Sequence, residues 1–472
     1  MKALFTFLQT KIILVLWMIV ASGTISQAQD ITGQWNGVLN IQGMNMRLVF
    51  HINQTGGGYT STMDSPDQGA TGIPVATTTF DDSKLSLAIP NIGLLYEGEF
   101  KTDSIVGTFQ QGGISLPLTL KRTPAEVTVI NRPQEPKPPY PYRSEDVTFE
   151  NINAGITLAG TLTLPETGSN FMAVILITGS GAQNRDEELM GHKPFLVIAD
   201  YLTRHGIAVL RYDDRGTAQS TGDFRTATTV DFAADAESAI TYLKTRSEIN
   251  PDKIGLMGHS EGGVIAPMVA AQSNDVGFIV MLAGSGLRGD VLLLLQEEAV
   301  YKASGIPENT VTEILKINAK VFDMIVNASG VVSVQELTDY MTTLKSEIAS
   351  IIPDGITTDD YIKQFVAGVS SPWMQYFLRY DPAPALEKVK CPVLAVNGSK
   401  DLQVTAKENL AAIEATLAKG GNSKATIREY PKLNHLFQEC NTGLPTEYAV
   451  IEQTFSPDVL KDLGDWILNN YE

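Results

Sequence analysis

The residues Gly-His-Ser-Glu-Gly at positions 258–262 are the part of the chain that most directly indicates chemistry. The apolar run 254–257 precedes them, and small residues follow from Gly262 onward. This order predicts a buried strand, a sharp turn and a helix. Glycines must flank a serine in such a turn, because a β-carbon there would collide with the strand or the helix. Ser260 is therefore the candidate nucleophile, and an incidental serine in an ordinary strand-to-helix turn is the alternative.

A serine hydroxyl becomes a good nucleophile only beside a base, and the chain contains five histidines. His51 lies in a separate N-terminal region, His205 stands at a predicted helix end, and His259 lies within the turn. His192 precedes the serine, against the chain order serine, acid, histidine that goes with this kind of turn. His435 follows the last predicted strand. We therefore expect His435 to be the general base, and a surface loop histidine is the alternative.

The acid that orients the histidine should follow a strand end between Ser260 and His435. Asp401 meets this condition, because it comes after the apolar run 393–396 and a glycine turn. Asp290, after the preceding predicted strand, is its competitor. Asp381, in an Asp-Pro turn, ranks third.

Negative charge on a substrate carbonyl oxygen needs preset backbone donors. One is expected to be the amide of Glu261, directly after the nucleophile. The other is expected from the segment Thr-Gly-Ser-Gly at 178–181, where the glycines let the backbone approach closely, and the amide of Ser180 is the candidate. A plain tight turn explains these glycines equally well.

The elements that position these residues alternate between strand and helix patterns from residue 146 onward. The continuous apolar run 173–177 is typical of a parallel strand that is covered on both faces. Short links between strands and helices predict a doubly wound α/β sheet over residues 143–472. The alternation stops between about 286 and 380, where helical patterns dominate. We expect this block to be a helical cap over the carboxyl edge of the sheet, where ligands bind in such folds.

The region before residue 143 has a different organisation. Residues 29–122 show short alternating strands and turn clusters, which predict a small all-β barrel or sandwich. Residues 123–142 contain six prolines and are expected to form an extended linker. Because every candidate catalytic residue lies after residue 145, we expect hydrolysis not to require the β domain, and a chain starting near Tyr142 to fold alone.

Residues 1–28 have the features of a secretory signal peptide: early lysines, an apolar run at 12–21 and small residues near position 28. The apolar run is shorter than the roughly 20 residues that span a bilayer, so we expect export with cleavage and no stable membrane insertion. The formal charge of -18 argues against nucleic acid and anionic membranes as partners. Cys391 and Cys440 are the only cysteines, and we expect both to be free thiols.

Four segments together resemble a known family: TGSGAQNRD at 178–186, RYDDRG at 211–216, GHSEGG at 258–263 and NGSKDLQV at 397–404. In this order they are similar to the bacterial α/β-hydrolases that include serine aminopeptidase-like proteins and EstD-type esterases. The resemblance covers about residues 145–472. It implies a helical cap and activity on carboxylic esters, commonly with short acyl chains. Thr178 stands where many α/β-hydrolases have histidine. Ala218-Gln219 replaces a common glycine-containing pair, so the shape of the entrance to the substrate site is not predicted.

The sequence therefore predicts a secreted or periplasmic serine hydrolase that cleaves a small carboxylic ester through an acyl-enzyme intermediate. No cofactor and no metal ion are expected, and the oligomeric state is left open. A serine peptidase, an aminopeptidase or an acyltransferase would use the same residues and differ in the leaving group. A non-catalytic ligand-binding protein is the alternative from another class, although such a protein would have no need to keep all three of Ser260, Asp401 and His435.

Overall fold

A computed structural model describes residues 30–41, 44–66, 70–111, 114–123, 131–352 and 357–470. The expected signal peptide lies outside the described residues. The chain divides into two compact units, one formed by residues 30–40 and 45–123 and the other formed almost entirely by residues 131–470. No described helix is both long enough and apolar enough to cross a membrane.

The first unit is a single antiparallel sheet whose nine described strands lie in the order β4-β3-β2-β1-β9-β8-β7-β6-β5. The hydroxyl groups of Ser61 in β3 and Thr78 in β5 lie 2.7 Å apart, so the sheet curls until its two ends approach. Trp35, Phe50 and Tyr96 are buried in its core. The fold is therefore barrel-like, which decides between the barrel and the sandwich. The strands are β1 Gly33–Ile41, β2 Met44–Thr55, β3 Gly58–Ser65, β4 Ala70–Val75, β5 Thr77–Asp81, β6 Lys84–Ile89, β7 Leu94–Lys101, β8 Ser104–Gln111 and β9 Ile114–Lys121.

The second unit is built on an eight-stranded sheet in the order β10-β11-β13-β12-β14-β15-β16-β17. β10, β11 and β13 pair antiparallel, and the pairs from β13 through β17 are parallel. The predicted α/β fold with a helical cap and a preceding all-β domain is confirmed. The strands are β10 Tyr142–Asn151, β11 Ile156–Pro165, β12 Phe171–Ile177, β13 Ala208–Tyr212, β14 Ile249–His259, β15 Phe278–Leu282, β16 Val393–Gly398 and β17 Ala425–Tyr430.

Helices cover both faces of this sheet. The side chains of β12 alternate between the two faces, so nearly all of them are buried and all are apolar. Ile175 packs in one core with α2 (Thr229–Lys244), α3 (Glu261–Ala270) and α11 (Ala406–Lys419). Val174 packs in the other core with α1 (Pro194–Arg204) and α12 (Pro457–Asn469). Helices α4 to α9 lie between β15 and β16 and have a core of their own that includes Phe322, Leu337 and Ile362. The helices are α1 Pro194–Arg204, α2 Thr229–Lys244, α3 Glu261–Ala270, α4 Gly289–Ala303, α5 Glu308–Asn327, α6 Val334–Thr343, α7 Lys345–Ile348, α8 Thr358–Val369, α9 Pro372–Arg379, α10 Ala383–Leu386, α11 Ala406–Lys419 and α12 Pro457–Asn469.

The proline-rich segment from residue 131 onward packs against the second unit through its polar side chains. The guanidinium of Arg132 donates to the backbone carbonyls of Met190, Gly191, Ala449 and Ile451. The side chain of Gln134 accepts from the amides of Thr454 and Phe455 and donates to the carbonyl of Phe455. This half of the predicted linker is therefore part of the second unit, and a shortened chain should begin before Arg132 and not near Tyr142.

His192 holds the same C-terminal segment from the other side. Its ring is buried, with Nδ1 3.0 Å from the hydroxyl of Thr454 and Nε2 2.8 Å from the carbonyl oxygen of Tyr448. A carbonyl oxygen can only accept, so Nε2 carries the hydrogen and Nδ1 accepts from the threonine hydroxyl. Burial lowers the pKa of His192 to about 4.

Both cysteines of the unit are free thiols, as expected.

We expect Arg132→Ala in the full chain to lower the free energy of unfolding by about 2 kcal/mol or more, because hydrogen bonds to a charged donor are worth about 1.5–3 kcal/mol each. Denaturant titration measures the change. Lys137→Ala, an exposed lysine in the same segment, is the matched control and should have little effect. Equal stability of the two variants would contradict a structural role for Arg132.

We expect His192→Gln to lessen the loss of stability between pH 6.5 and pH 4. The folded-state pKa of His192 lies below the ordinary value of 6.5, so in this window the unfolded chain takes up a proton that the folded chain does not. Stability is therefore present above pH 6.5 and is lost as the pH falls towards 4. Melting temperatures across this range test the prediction, with His205→Gln as an exposed control. Parallel curves for His192→Gln and wild type would refute it.

Candidate active site

Ser260 stands alone between the end of β14 and the start of α3. Its backbone angles, φ 53° and ψ -112°, lie in a region that residues with a side chain rarely adopt. Glycines make the turn possible: a β-carbon on Gly258 would lie 1.9 Å from the carbonyl oxygen of Gly262, and one on Gly262 would lie 2.1 Å from that of Ile177. The amide of Ser260 donates to the carbonyl of Leu282 at 2.8 Å. The turn therefore has the strained form that presents a nucleophile at the edge of the sheet.

Asp401 and His435 form a buried hydrogen-bonded pair. His435 Nδ1 lies 2.7 Å from Asp401 Oδ2, and the two side chains are 5% and 0% exposed. The other carboxylate oxygen, Oδ1, accepts from the amides of Gln403 at 2.8 Å and Val404 at 2.9 Å. With the carboxylate fixed in this way, Nδ1 of His435 carries the hydrogen, and Nε2 is left as the basic nitrogen.

The loops that carry this pair are fixed to each other. Asp401 follows β16 and His435 follows β17, so both stand at the carboxyl edge of the parallel sheet, as Ser260 does. The amide of Lys400 donates to the carbonyl of Leu433 at 2.9 Å, which joins the two loops. The Ser260 hydroxyl itself makes no hydrogen bond within the described part of the chain. The structure therefore brings Asp401 and His435 together at the edge of the sheet where the Ser260 turn also ends.

His259, the residue before the nucleophile, contacts the loop of His435. Its Nε2 lies 3.0 Å from the carbonyl oxygen of His435, its Nδ1 lies 2.9 Å from Glu187 Oε1, and the two imidazole rings are 4.7 Å apart. Burial alone would lower the pKa of His259, but the carboxylate of Glu187 more than offsets this and the pKa lies above its ordinary value. His259 is thus a buried partner of the site and is not free to serve as its base.

The loop after β12 lies directly against the nucleophile. A β-carbon on Gly179 would be 3.3 Å from the β-carbon of Ser260, so only glycine allows this approach without displacement. The amide of Gly179 donates to Glu187 Oε1 at 2.7 Å. The amide of Ser180, the predicted oxyanion donor, has no acceptor in the described part of the chain, nor has that of Glu261. Both candidate donors are therefore free to bind a ligand.

A buried carboxyl holds both ends of this loop. Asp214 Oδ1 accepts from the hydroxyl of Thr178 at 2.7 Å and Oδ2 accepts from the amide of Gln183 at 2.9 Å, while the amide of Asp214 donates to the carbonyl of Gln183. Burial raises the pKa of Asp214 to about 8. Thr178 is therefore paired with Asp214 and helps to shape the loop.

The side chain of Glu261 connects the nucleophile turn to the cap. Its Oε1 accepts from the hydroxyl of Thr229 in α2 at 2.6 Å and from the indole Nε1 of Trp373 in α9 at 2.8 Å. Burial raises the pKa of Glu261. One residue thus supplies a candidate oxyanion amide through its backbone and a bond to the cap through its side chain.

The competing candidates have other partners. Asp290, at the start of the cap, forms a two-point ion pair with Arg288 at 2.6 and 2.7 Å. Asp381 is exposed and accepts from the amide of Ala383. The remaining histidines are engaged as well: His51 with Asp64, His192 with Thr454 and Tyr448, and His205 with Tyr201.

Glu187, Asp214 and Trp373 belong to the site but were not predicted from the sequence. Asp214 lies inside the segment RYDDRG, and Glu187 directly follows TGSGAQNRD. Both residues therefore lie in or beside segments that carry the family resemblance. Their distant partners leave no signal in the sequence: Asp214 contacts residues 31 and 36 positions earlier, and Glu187 contacts His259, 72 positions later. In the described part of the chain, no three histidine, cysteine, aspartate or glutamate side chains are arranged to hold a metal ion.

The chain is similar to several known proteins. The chain is 26% identical over 345 residues to the esterase EstD of Thermotoga maritima, which covers 72% of this chain and 73% of that protein. Among solved structures, the Pyrococcus furiosus esterase Pf2001 is similar with a TM-score of 0.43 and 15% identity, covering 72% of this chain and 97% of that one. Proline iminopeptidase of Mycobacterium smegmatis has a TM-score of 0.42 and 14% identity, covering 69% and 98%.

Residues 193–440, more than half of the chain, match the family described as serine aminopeptidase, S33. The matched range includes Ser260, Asp401 and His435. It begins after the loop that carries Ser180 and does not include the barrel. The chain belongs to the serine aminopeptidase, S33, family of α/β-hydrolases and is a serine hydrolase.

Proposed function

We propose that the protein hydrolyses carboxylic esters, with Ser260 as nucleophile, His435 as general base and Asp401 as the orienting acid. The observation that carries the proposal is the 2.7 Å bond between His435 Nδ1 and Asp401 Oδ2 at the sheet edge where the strained Ser260 turn also ends. The similarity to the esterase EstD favours an ester over other acyl substrates.

In the proposed reaction, His435 Nε2 takes the proton of the Ser260 hydroxyl while the oxygen attacks the ester carbonyl. The amides of Ser180 and Glu261 stabilise the oxyanion that forms, and Asp401 stabilises the protonated imidazole. His435 then gives its proton to the departing alcohol, which leaves an acyl group on Ser260. Water, activated by the same nitrogen, releases the acid and restores the serine.

The space between the cap and α3 favours apolar groups. A cavity lies beside Glu261, and most of its wall is apolar, including Val264, Leu292 and Phe377. Such a wall suits an acyl or alkyl group better than a charged one.

A peptidase, aminopeptidase or acyltransferase would use the same residues, and the family description names aminopeptidases. Turnover of short acyl esters against aminoacyl amides by the purified protein distinguishes these activities. Faster turnover of the amides would replace the esterase proposal with the peptidase one.

We also propose that the protein is exported, on the strength of the apolar run 12–21 and the small residues near position 28. N-terminal sequencing of the protein from the cell envelope or the medium should begin near Gln29. Recovery of the uncleaved chain from the cytosol would argue against export.

We expect Ser260→Ala to lower ester turnover by several orders of magnitude while the melting temperature stays close to that of the wild type, because the members of such a triad act as one unit. A fluorophosphonate should label the wild type at Ser260 and leave the variant unlabelled. Ser273→Ala, beyond the end of α3, is the matched control and should keep full activity. More than a tenth of wild-type turnover in Ser260→Ala would rule out this nucleophile.

We expect Asp401→Asn to lower kcat by about 10⁴-fold, because an amide at this position favours the wrong tautomer of His435. Asp290→Asn should change kcat by less than about threefold, since Asp290 is paired with Arg288 at the start of the cap. Steady-state kinetics of the two folded variants decide between the acids. The reverse ranking would transfer the role to Asp290.

A further inference from the structure

Beside Asp401 and His435 lies a second buried acid–histidine pair, formed by Glu187 and His259, which the proposed reaction does not use. Their side chains are 5% and 8% exposed, and Nδ1 of His259 lies 2.9 Å from Glu187 Oε1. We propose that Glu187 is a positioning residue that acts through His259 and Gly179. It keeps three segments aligned: the loop after β12 that carries Ser180, the turn of Ser260 and the loop of His435. The inference rests on the proposed ester hydrolysis and extends it to residues outside the triad.

The carboxylate of Glu187 joins three separate pieces of the chain. The same oxygen, Oε1, accepts from the amide of Gly179 at 2.7 Å and contacts His259 at 2.9 Å. His259 continues the connection, because its Nε2 donates to the carbonyl oxygen of His435 at 3.0 Å. The loop after β12, the end of β14 and the loop after β17 are thereby held by one unbroken run of hydrogen bonds.

The contacts on both sides of the His259 ring decide its role. The carbonyl oxygen of His435 can only accept, so Nε2 of His259 donates to it, while Nδ1 faces Glu187 Oε1. Burial lowers the pKa of His259, but the carboxyl of Glu187 raises it above its ordinary value, and hydrogen bonds that involve a charged group are shorter and stronger than neutral ones. Asp401 and the ring of His435 are the other ionisable groups near His259.

The loop that Glu187 holds is the one whose position matters most for the reaction. Gly179 lies against Ser260, and the next amide along the chain is that of Ser180, the candidate oxyanion donor. A donor stabilises the transition state only if it stands about 3 Å from the oxyanion, and removal of one such donor costs about 10²–10³-fold in kcat. Loss of the Glu187 anchor leaves the donor present but free to move, so a smaller loss is expected.

The test uses Glu187→Gln, which keeps the shape of the side chain and an oxygen that can accept from Gly179. It replaces the acidic group that faces His259 with an amide. We expect kcat to fall by about tenfold or more with KM changed by less than about threefold, because the affected interaction is made in the transition state. Glu188→Gln, the same change at an exposed neighbouring position, is the matched control and should leave both constants unchanged.

A double-mutant cycle separates positioning from simple packing. If the two residues act as one unit, Glu187→Gln combined with His259→Gln should lower kcat no further than the worse single variant. Should Glu187→Gln fail to fold, His259→Gln tests the same contact from the other side. A folded variant with kcat within twofold of the wild type, a change in KM alone, or additive losses would overturn the proposal. Failure of a fluorophosphonate to label Ser260 in the wild type would instead overturn the proposed hydrolysis.

Discussion

The hydrogen bond between His435 and Asp401 is the interaction on which the arrangement of the site depends. Asp401 also accepts from two backbone amides of its own loop, so the carboxylate cannot turn away from the imidazole. The two amides and Nδ1 of His435 together fix the carboxylate and the imidazole in one orientation. In the proposed reaction, this arrangement keeps Nε2 of His435 available as the base.

The parallel sheet makes this pair possible, because it brings the ends of β14, β16 and β17 to one edge. Ser260, Asp401 and His435 lie far apart along the chain, and each stands a few residues beyond one of these strands. The apolar strands themselves are fixed from both sides by the two hydrophobic cores. The rigid strands hold the loops at this edge in place, and the loops supply most of the polar groups of the site.

Much of this could be predicted from the sequence where the signal is local. The nucleophile turn needs glycines beside Ser260, and strands with both faces buried are apolar throughout, so both leave a pattern in neighbouring residues. β12 contains the apolar run 173–177 and β16 contains the run 393–396. β14, Ile249–His259, is longer than its apolar run 254–257, because residues 250–253 carry no apolar signal.

Contacts between distant side chains and backbone leave no such pattern. The prolines after residue 130 predicted an extended segment, but nothing in them indicates that Arg132 reaches carbonyls more than 300 residues later. Glu187 and His259 are likewise unremarkable until the fold brings them together. A charged side chain in a loop is usually solvated, so the sequence offers no reason to single out those that become buried.

The bond between Glu261 and Trp373 has a consequence for the modularity of the protein. The cap is joined to the sheet at two places, after β15 and before β16, so replacing it as a block is an obvious way to alter the substrate range. Here the cap supplies one of the two hydrogen bonds to a carboxyl whose own backbone begins the helix after Ser260. A cap grafted without an equivalent of Trp373 would leave that buried carboxyl short of a donor, a cost of about 1–3 kcal/mol for such a group. The graft would thus disturb the core of the recipient as well as its specificity, so cap and catalytic turn are best regarded as a single inherited unit.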